Sequence, residues 1–350
     1  MTRILVSCLT YESCSCFYSH RLVCGRRLKG GGHALPSMQE GWRVGVVIPA
    51  HNEGEHIRNV LETLPDWIDT AIVVNDGSTD NTQGEVESAT TDCEVILVSQ
   101  MNQGVGSAID AGHRRMLNHL NIPFVSVVMA GDGQMNPDDL RELIAPIIQN
   151  KADHVKGDRL SHPDGFNRMP KIRQLASWIL AFFTTLAAGQ SIRDPQCGYT
   201  ATSHRIIETW NWRESWKVYG YPNYWLIRLS SNGWRILHAP VESVYRKETS
   251  GIKPLHFFLT VGLMMTIEHH RRTFGWLRKR QGFPLTLMAF FAYLMGWGML
   301  LPSNINPVKE VMSTWGAPTF VLVCGFWALA HLFDRRAAAS IREARLDASN

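Results

Sequence analysis

Val125-Ser126-Val127-Val128-Met129-Ala130-Gly131-Asp132-Gly133-Gln134 is the stretch on which the fold of this chain turns. A continuous apolar run ends in one carboxylate, Asp132, with Gly131 and Gly133 on either side. Short apolar runs without alternation suit a strand buried on both faces, as in a parallel sheet. Asn136-Pro137-Asp138-Asp139 then opens an amphipathic helix through Leu140, Leu143 and Ile144. An acid at the exit of such a strand lies on the carboxyl edge of the sheet, where open α/β folds bind ligands. The glycines let backbone and ligand approach closely, and the carboxylate can hold a divalent cation against a diphosphate. Taken alone, the same letters also describe a β-to-helix turn with Asp132 as a cap.

Upstream, the pattern repeats three times. Val44-Gly45-Val46-Val47-Ile48-Pro49 reads as a buried strand, followed by Ala50-His51-Asn52-Glu53-Gly54-Glu55 and a helix with an apolar face at Ile57, Val60, Leu61 and Leu64. Ala71 to Val74 is the next strand, with Asn75-Asp76-Gly77-Ser78-Thr79-Asp80-Asn81-Thr82 at its end. Glu94 to Val98 leads to Asn102-Gln103-Gly104-Val105-Gly106-Ser107-Ala108 and a further helix. Strands alternating with helices, always with the polar loop after the strand, predict an α/β, mostly parallel sheet with helices on both faces and one functional edge. The glycine spacings match neither a Walker loop nor a dinucleotide fingerprint.

Each loop is weak evidence by itself, but the four in this order resemble the family-two glycosyltransferases with a Rossmann-like GT-A fold. Within that family the chain looks most like the dolichyl- and undecaprenyl-phosphate sugar transferases, over about Val44 to Pro254. The resemblance implies that Pro49, His51, Glu53, Asn75, Asp76 and Gly104 contribute to a nucleotide-sugar site. Two positions depart from the family: His51 stands where Tyr or Phe is common, and Asn75 where Asp is common. A neutral Asn75 can still hydrogen-bond a ribose or base. Lys156-Gly157-Asp158-Arg159 matches the family's Gly-x-Arg element, which would bring Arg159 to the phosphates or the acceptor.

The metal element departs further. Ala130 stands where the family's Asp-x-Asp has its first acid, leaving Asp132, with the Gln134 carbonyl as a second oxygen. Magnesium or manganese remains the implied cofactor, because magnesium keeps several waters and takes oxygens from substrate phosphates. Such a metal is expected to bind weakly without the nucleotide.

Ile192-Arg193-Asp194-Pro195-Gln196-Cys197-Gly198-Tyr199 looks like the Asp-x-Gln-x-Gly element of the same transferases, and places Asp194 near the acceptor. Asp194 also fits as the cap of a helix started by proline. No histidine or glutamate base stands out, and none is needed if the acceptor is a lipid phosphate, already anionic at neutral pH. The Gln-x-x-Arg-Trp element of processive relatives is absent, which implies transfer of a single sugar, with inversion as in the family. Arg246, Lys247 and Lys253 resemble a cationic clamp over the diphosphate, with Gly251 as its hinge.

The remainder sets context. A formal charge of +4 over 350 residues is too small to argue for nucleic acid, and seven cysteines without metal-finger spacing suit a reducing compartment. Residues 1–41 are expected to be a disordered leader or a mis-assigned start, with translation truly beginning at Met38; Tyr11, Glu12, His20 and Arg21 interrupt any signal-peptide core. The transferase domain is drawn at 42–252, with Ile179 to Ala188 inside it as a buried or membrane-grazing helix. Residues 253–281 carry His269-His270-Arg271-Arg272 and Arg278-Lys279-Arg280 among aromatics, as interfacial helices do. Residues 282–334 lack charge over two stretches and read as a transmembrane hairpin; 335–350 is a cytoplasmic tail by the positive-inside rule. The expected protein is thus a two-span membrane enzyme facing the cytoplasm. Its partners are a nucleotide-sugar donor, a polyprenyl-phosphate acceptor and the bilayer, with a homo-oligomer left open. Transfer to another membrane lipid, which would require a general base, and a non-catalytic nucleotide-sugar-binding scaffold are the competing readings.

Overall fold

The computed structural model describes residues 4–8, 18–20, 41–162, 169, 171–217, 220–242, 254–316 and 318–347. The chain divides into two compact units. The first, a sheet unit, takes in 1–179, 193–222 and 235–258; the second, a helical unit, takes in 180–192, 223–234 and 259–350.

Seven strands form the body of the sheet: β3 (Arg43–Ala50), β4 (Thr70–Asp76), β5 (Glu94–Gln100), β6 (Phe124–Val128), β7 (His154–Asp158), β8 (Thr200–Ser203) and β9 (Ile236–Pro240). Their order is β5-β4-β3-β6-β8-β7-β9. β3, β4, β5 and β6 are mutually parallel, and β9 runs parallel to β7. The anticipated fourth strand into Asp132 is β6. The inserted β8 is antiparallel to both β6 and β7, which makes the sheet mixed. Thr200-Ala201-Thr202-Ser203 has the β-branched letters of a strand, yet four residues of mixed polarity give little periodicity to read.

Two stretches of the leader are strands rather than coil. β1 (Ile4–Cys8) runs parallel to β5, and β2 (Tyr18–His20) antiparallel to β1. The rest of residues 1–40 lies outside the described residues.

Alternation of side chains splits the core into layers. Val44, Val46 and Ile48 of β3, with Val73, Leu97 and Val127, face α1 (Ile57–Glu62), α2 (Thr82–Ser88) and α4 (Leu140–Ile148), burying Ile57, Leu61, Val86, Leu143 and Ile147. α3 (Val105–Leu117) covers the other face, where Gly112 lies against Val47 and Gly45 against Met116.

The helical unit holds part of α5 (Lys171–Ala188) and of α7 (Tyr221–Ser231), which follows α6 (His204–Thr209), and most of α8 (Pro254–Arg278). α9 (Leu285–Gly298), α10 (Pro307–Thr314) and α11 (Thr319–Asp347) complete it. α9 and α11 approach through small residues, Ala289, Ala292 and Ala330, beside Tyr293.

The expected transmembrane hairpin is corrected here: among the described residues no helix is long and apolar enough to cross a membrane. α9 has 14 residues, about 21 Å at 1.5 Å per residue, against a hydrocarbon core of ~30 Å. The uncharged stretch from 282 to 308 is broken after Gly298 and again at Pro302, so its length in sequence overstates its length as a helix. α11 has 29 residues, but Asp334, Arg335 and Arg336 interrupt it after 15.

Candidate active site

The carboxyl edge of the sheet collects the loops. β3, β4, β5, β6, β7 and β9 all end there, and the antiparallel β8 begins there, its Thr200 lying between Val128 and Lys156. Pairing of Val47 with Val128 brings the exits of β3 and β6 side by side. The Gly131 N–H donates to the Pro49 carbonyl at 3.3 Å and locks the Asp132 loop against the His51 loop.

Asp132 is half-buried, and its Oδ1 accepts the Gln134 N–H at 2.9 Å, a turn that fixes the carboxylate on the loop. The Ala130 N–H reaches the Met135 sulfur at 3.2 Å. The donors expected from the sequence at this loop are the Asp132 carboxylate and the Gln134 carbonyl. That set fits magnesium or manganese only if phosphate oxygens and waters supply the remaining positions. Among the described residues, the one group of three close metal-ligating side chains lies elsewhere, at His269, His331 and Asp334 of the helical unit.

Asp76 proves to be a brace. It is 3 % exposed, and its carboxylate accepts from Gln100 Nε2 at 2.7 Å, the Gln103 N–H at 2.9 Å and the Gly104 N–H at 2.9 Å. Those three bonds tie the exit of β4 to the start of α3. Gly77 lets this turn close: its φ is 70°, and a Cβ there would meet the Asn102 nitrogen at 2.7 Å. The Asn75 Oδ1 accepts the Ser78 N–H at 2.9 Å, so this amide also shapes the turn.

His51 lies exposed above these groups. Its Nδ1 donates to the Asp76 carbonyl at 2.8 Å, because a carbonyl can only accept. In the neutral ring this leaves Nε2 as an acceptor, and Asn102 Nδ2 stands 3.2 Å from it. Asn52 joins the two loops by accepting the Thr79 N–H at 2.8 Å. The Glu53 N–H donates to Thr82 Oγ1 at 2.9 Å. Pro49, His51, Glu53, Asn75, Asp76 and Gly104 therefore do converge, held in one network with Asn52 and Asn102, which sequence reasoning had not singled out.

A second cluster sits where β7 ends and β8 begins. Asp194 is fully buried, and Arg159 grips it twice, Nε to Oδ2 at 2.7 Å and Nη2 to Oδ1 at 2.9 Å. The Arg159 backbone N–H adds a third bond at 3.2 Å. Burial alone would raise the Asp194 pKa, but the Arg159 guanidinium, with Lys156 behind it, holds the carboxyl below its ordinary value. Asp194 is thus the anchor of Arg159. The Tyr199 hydroxyl donates to the Asn136 carbonyl at 3.0 Å, and Asn136 Nδ2 donates to Glu242 at 3.2 Å, linking the Asp132 loop to the chain after β9. No spacing signal marks Tyr199, Asn136 or Glu242; Lys156 did carry one, as a charge inside an otherwise buried strand. Arg246, Lys247, Lys253 and the Gly251 hinge lie outside the described residues.

A nucleotide-sugar transferase class is where this edge points: a GT-A-like α/β sheet with one acid-bearing loop at its centre. The glycosyl transferase family 2 model matches residues 45–210. The UDP-N-acetylglucosamine–dolichyl-phosphate N-acetylglucosaminyltransferase of Methanococcus voltae is 30% identical over 215 residues, 57% of this chain and 85% of that one. A dolichyl-phosphate beta-glucosyltransferase of Trichomonas vaginalis is 32% identical over 173 residues, 44% of this chain and 49% of that one. The chain belongs to glycosyl transferase family 2. Among solved structures it resembles glucosyl-3-phosphoglycerate synthase from Mycobacterium tuberculosis in complex with Mn2+, UDP-glucose and phosphoglyceric acid. That match has a TM-score of 0.50 and 18% identity, covers 69% of this chain and 86% of that one, and supports the fold alone.

Proposed function

We propose that this enzyme moves one sugar from a nucleotide sugar to a polyprenyl phosphate, with inversion at the anomeric carbon. The observation that carries the reading is the pairing, on one sheet edge, of the Asp132 loop with the buried Asp194–Arg159 cluster. The first suits a donor diphosphate. The second holds a guanidinium in a fixed position without offering a base, which suits an acceptor that is already an anion. Relatives named for dolichyl-phosphate acceptors support that choice.

In this reading a phosphate oxygen of the acceptor attacks the anomeric carbon as the bond to the nucleoside diphosphate breaks. No proton has to leave the acceptor. The His51 and Asn75 loops orient the donor, and Arg159 orients the acceptor phosphate, so that positioning and charge carry the rate. A divalent metal held by Asp132 and Gln134 would supply charge to the departing diphosphate.

The membrane enters as a surface. Ile172, Leu175, Trp178, Phe182 and Phe183 stand exposed on α5 at helical spacing, behind the basic start Lys171 and Arg173. Leu259, Leu263, Ile267 and Phe274 do the same on α8. Apolar stripes flanked by cations suit the headgroup layer without a crossing, on the cytoplasmic side where nucleotide sugars are available.

A panel of nucleotide sugars, incubated with membranes carrying the protein and followed by mass analysis of the lipid product, tests the reading. A prenyl-phosphate sugar is expected; a diacylglycerol glycoside would replace the acceptor, and no lipid product from any donor would end the proposal. Asp132→Asn should lower turnover at least about 100-fold with an unchanged unfolding temperature.

A further inference from the structure

Among the described residues, Lys156 is the one buried cation at this edge to which the chemistry above gives no task. It is 1 % exposed on β7, and an ammonium in such a place is costly unless its surroundings use the charge. Its Nζ donates to the Cys197 carbonyl. The Cys197 N–H donates to the Asp194 carbonyl at 3.4 Å, and the Gly157 N–H to the Tyr199 carbonyl at 2.9 Å. The 194–199 turn therefore lies flat on β7. A Cβ at position 157 would stand 2.9 Å from Cys197 Sγ and 3.0 Å from the Tyr199 oxygen, so a glycine is required beneath it.

Asp194 neutralises one of the two cations beside it, Arg159 and Lys156. Farther out, Asp158 and Arg193, 3.8 Å apart, offset each other. Lys156 thus places a second positive charge beside the Asp194–Arg159 pair.

We propose that Lys156 is a positioning residue for an anionic phosphate: it pins the turn that holds Arg159 and restores the positive charge that Asp194 takes away. It acts through Arg159 and need not touch the ligand. The inference rests on the prenyl-phosphate reading for the identity of that anion.

The groups facing Lys156 are Asp194 and Cys197 from the turn, Arg159 and His154 from β7 and its exit, and His238 from β9. Burial pushes the Lys156 pKa from 10.5 down to about 8, with Cys197 and Asp194 opposing. Burial also keeps His154 and His238 neutral above pH 6 and pushes the Cys197 thiol up. Between pH 7 and 9, then, Lys156 is the member of this set that changes charge. A phosphate monoester has its second pKa at about 6 and is already mostly a dianion there.

The test is calorimetric titration of citronellyl phosphate into the full chain, for the wild type, Lys156→Met and Lys156→Arg, from pH 7 to 9. The wild type should lose about fivefold to tenfold in affinity across that range, as one charge is removed. Lys156→Met should bind about tenfold more weakly at pH 7 and show no slope. Lys156→Arg should bind as the wild type does at pH 7 and hold that affinity to pH 9, since a guanidinium stays charged. A wild type with no slope, a Lys156→Arg that keeps the slope, or a Lys156→Met that matches the wild type would each overturn the proposal. If Lys156→Met does not fold, the other two decide. The functional reading fails separately: binding with the expected slopes but no sugar transfer sinks it and leaves Lys156 in place. Transfer with a Lys156→Met acceptor KM equal to wild type sinks Lys156 alone.

Discussion

A buried aspartate–arginine pair taken from each unit uses the same chemistry to different ends. In the sheet unit Asp194 meets Arg159 at 2.7 Å, and the guanidinium keeps 17% of its side chain exposed. In the helical unit Asp334 meets Arg272 at 2.6 Å with both side chains sealed, 1% and 0% exposed. The second pair is wrapped further: Arg272 stacks over Trp276 at 4.3 Å and donates to His269 Nδ1 at 3.1 Å, while Thr273 reaches Asp334 at 3.4 Å. Its Nε and Nη1 find no hydrogen-bond partner among the described residues. Solvent access separates the two: a pair that keeps an edge toward water can present charge to a ligand. A sealed one can only select how helices pack.

The largest effect should follow from breaking the first pair. Asp194→Asn is expected to lower sugar transfer by about 100-fold or more, and to cost about 3 kcal/mol of stability, the low end for a severed buried pair. Steady-state kinetics beside denaturant unfolding would check both. Equal activity per folded molecule would show that Arg159 needs no anchor. Asp334→Asn should cost as much or more, about 3–5 kcal/mol, yet leave transfer per folded molecule unchanged. A loss of kcat in that variant at full folding would erase the distinction between the pairs.

How much of this was legible in the letters differs between the units for physical reasons. Strands buried on both faces are continuous apolar runs, so Val44 to Ile48, Ala71 to Val74 and Val125 to Val128 announced themselves, and the loop after each had to lie on one edge. The family followed from those loops. What individual acids do did not, because partners of Asp76 and Asp194 arrive from other strands: Gln100 comes with β5, and Arg159 with β7. In the helical unit the absence of charge from 282 to 308 suggested a crossing. Uncharged letters say nothing of where a helix breaks, and Pro302 and the 14-residue α9 decide that. Nor does an apolar stretch reveal that Tyr293 and His331 meet at its centre.

A third buried acid sharpens the contrast: among the described residues no arginine pairs with its carboxylate, and Arg114 reaches only its backbone carbonyl, at 3.4 Å. Asp110 on α3 accepts from the Tyr221 hydroxyl at 2.9 Å, and burial raises its pKa from 3.8 to about 6. The signs of the two acids are opposite. Asp194, depressed, contributes stability above the ordinary carboxyl pKa that is lost as pH falls through its folded value, below 3.8. Asp110, raised, binds its proton more tightly when folded, so its contribution is present below pH 3.8 and declines as pH rises to about 6. Carboxyl carbon shifts followed by NMR should find Asp110 half-protonated near pH 6 and Asp194 ionised at pH 4. Asp110→Asn should flatten the stability profile between pH 4 and 6.

The smallest effect belongs to a hydroxyl inside the sealed cluster. Tyr293 Oη stands 2.8 Å from His269 Nε2 and 3.1 Å from His331 Nδ1, bridging α8 and α11 from α9. His269 Nδ1 faces both Arg272 Nη2 at 3.1 Å and the Ala187 carbonyl at 3.4 Å; the shorter contact, in which Arg272 can only donate, puts the proton of the neutral ring on Nε2, which donates to Tyr293, whose own proton goes on to His331. The relay has one direction from the guanidinium outward. Tyr293→Phe keeps the ring among Ala289, Ala292 and Ala330 and removes only the bridge, so the cost should be about 1–2 kcal/mol for two ring nitrogens losing a partner. Measured in the Asp334→Asn background, the same substitution should cost less, because Arg272 is then released from the geometry that sets the His269 tautomer. Strict additivity of the two changes would mean that the pair and the relay are independent, and that Arg272 does not organise the helices through His269.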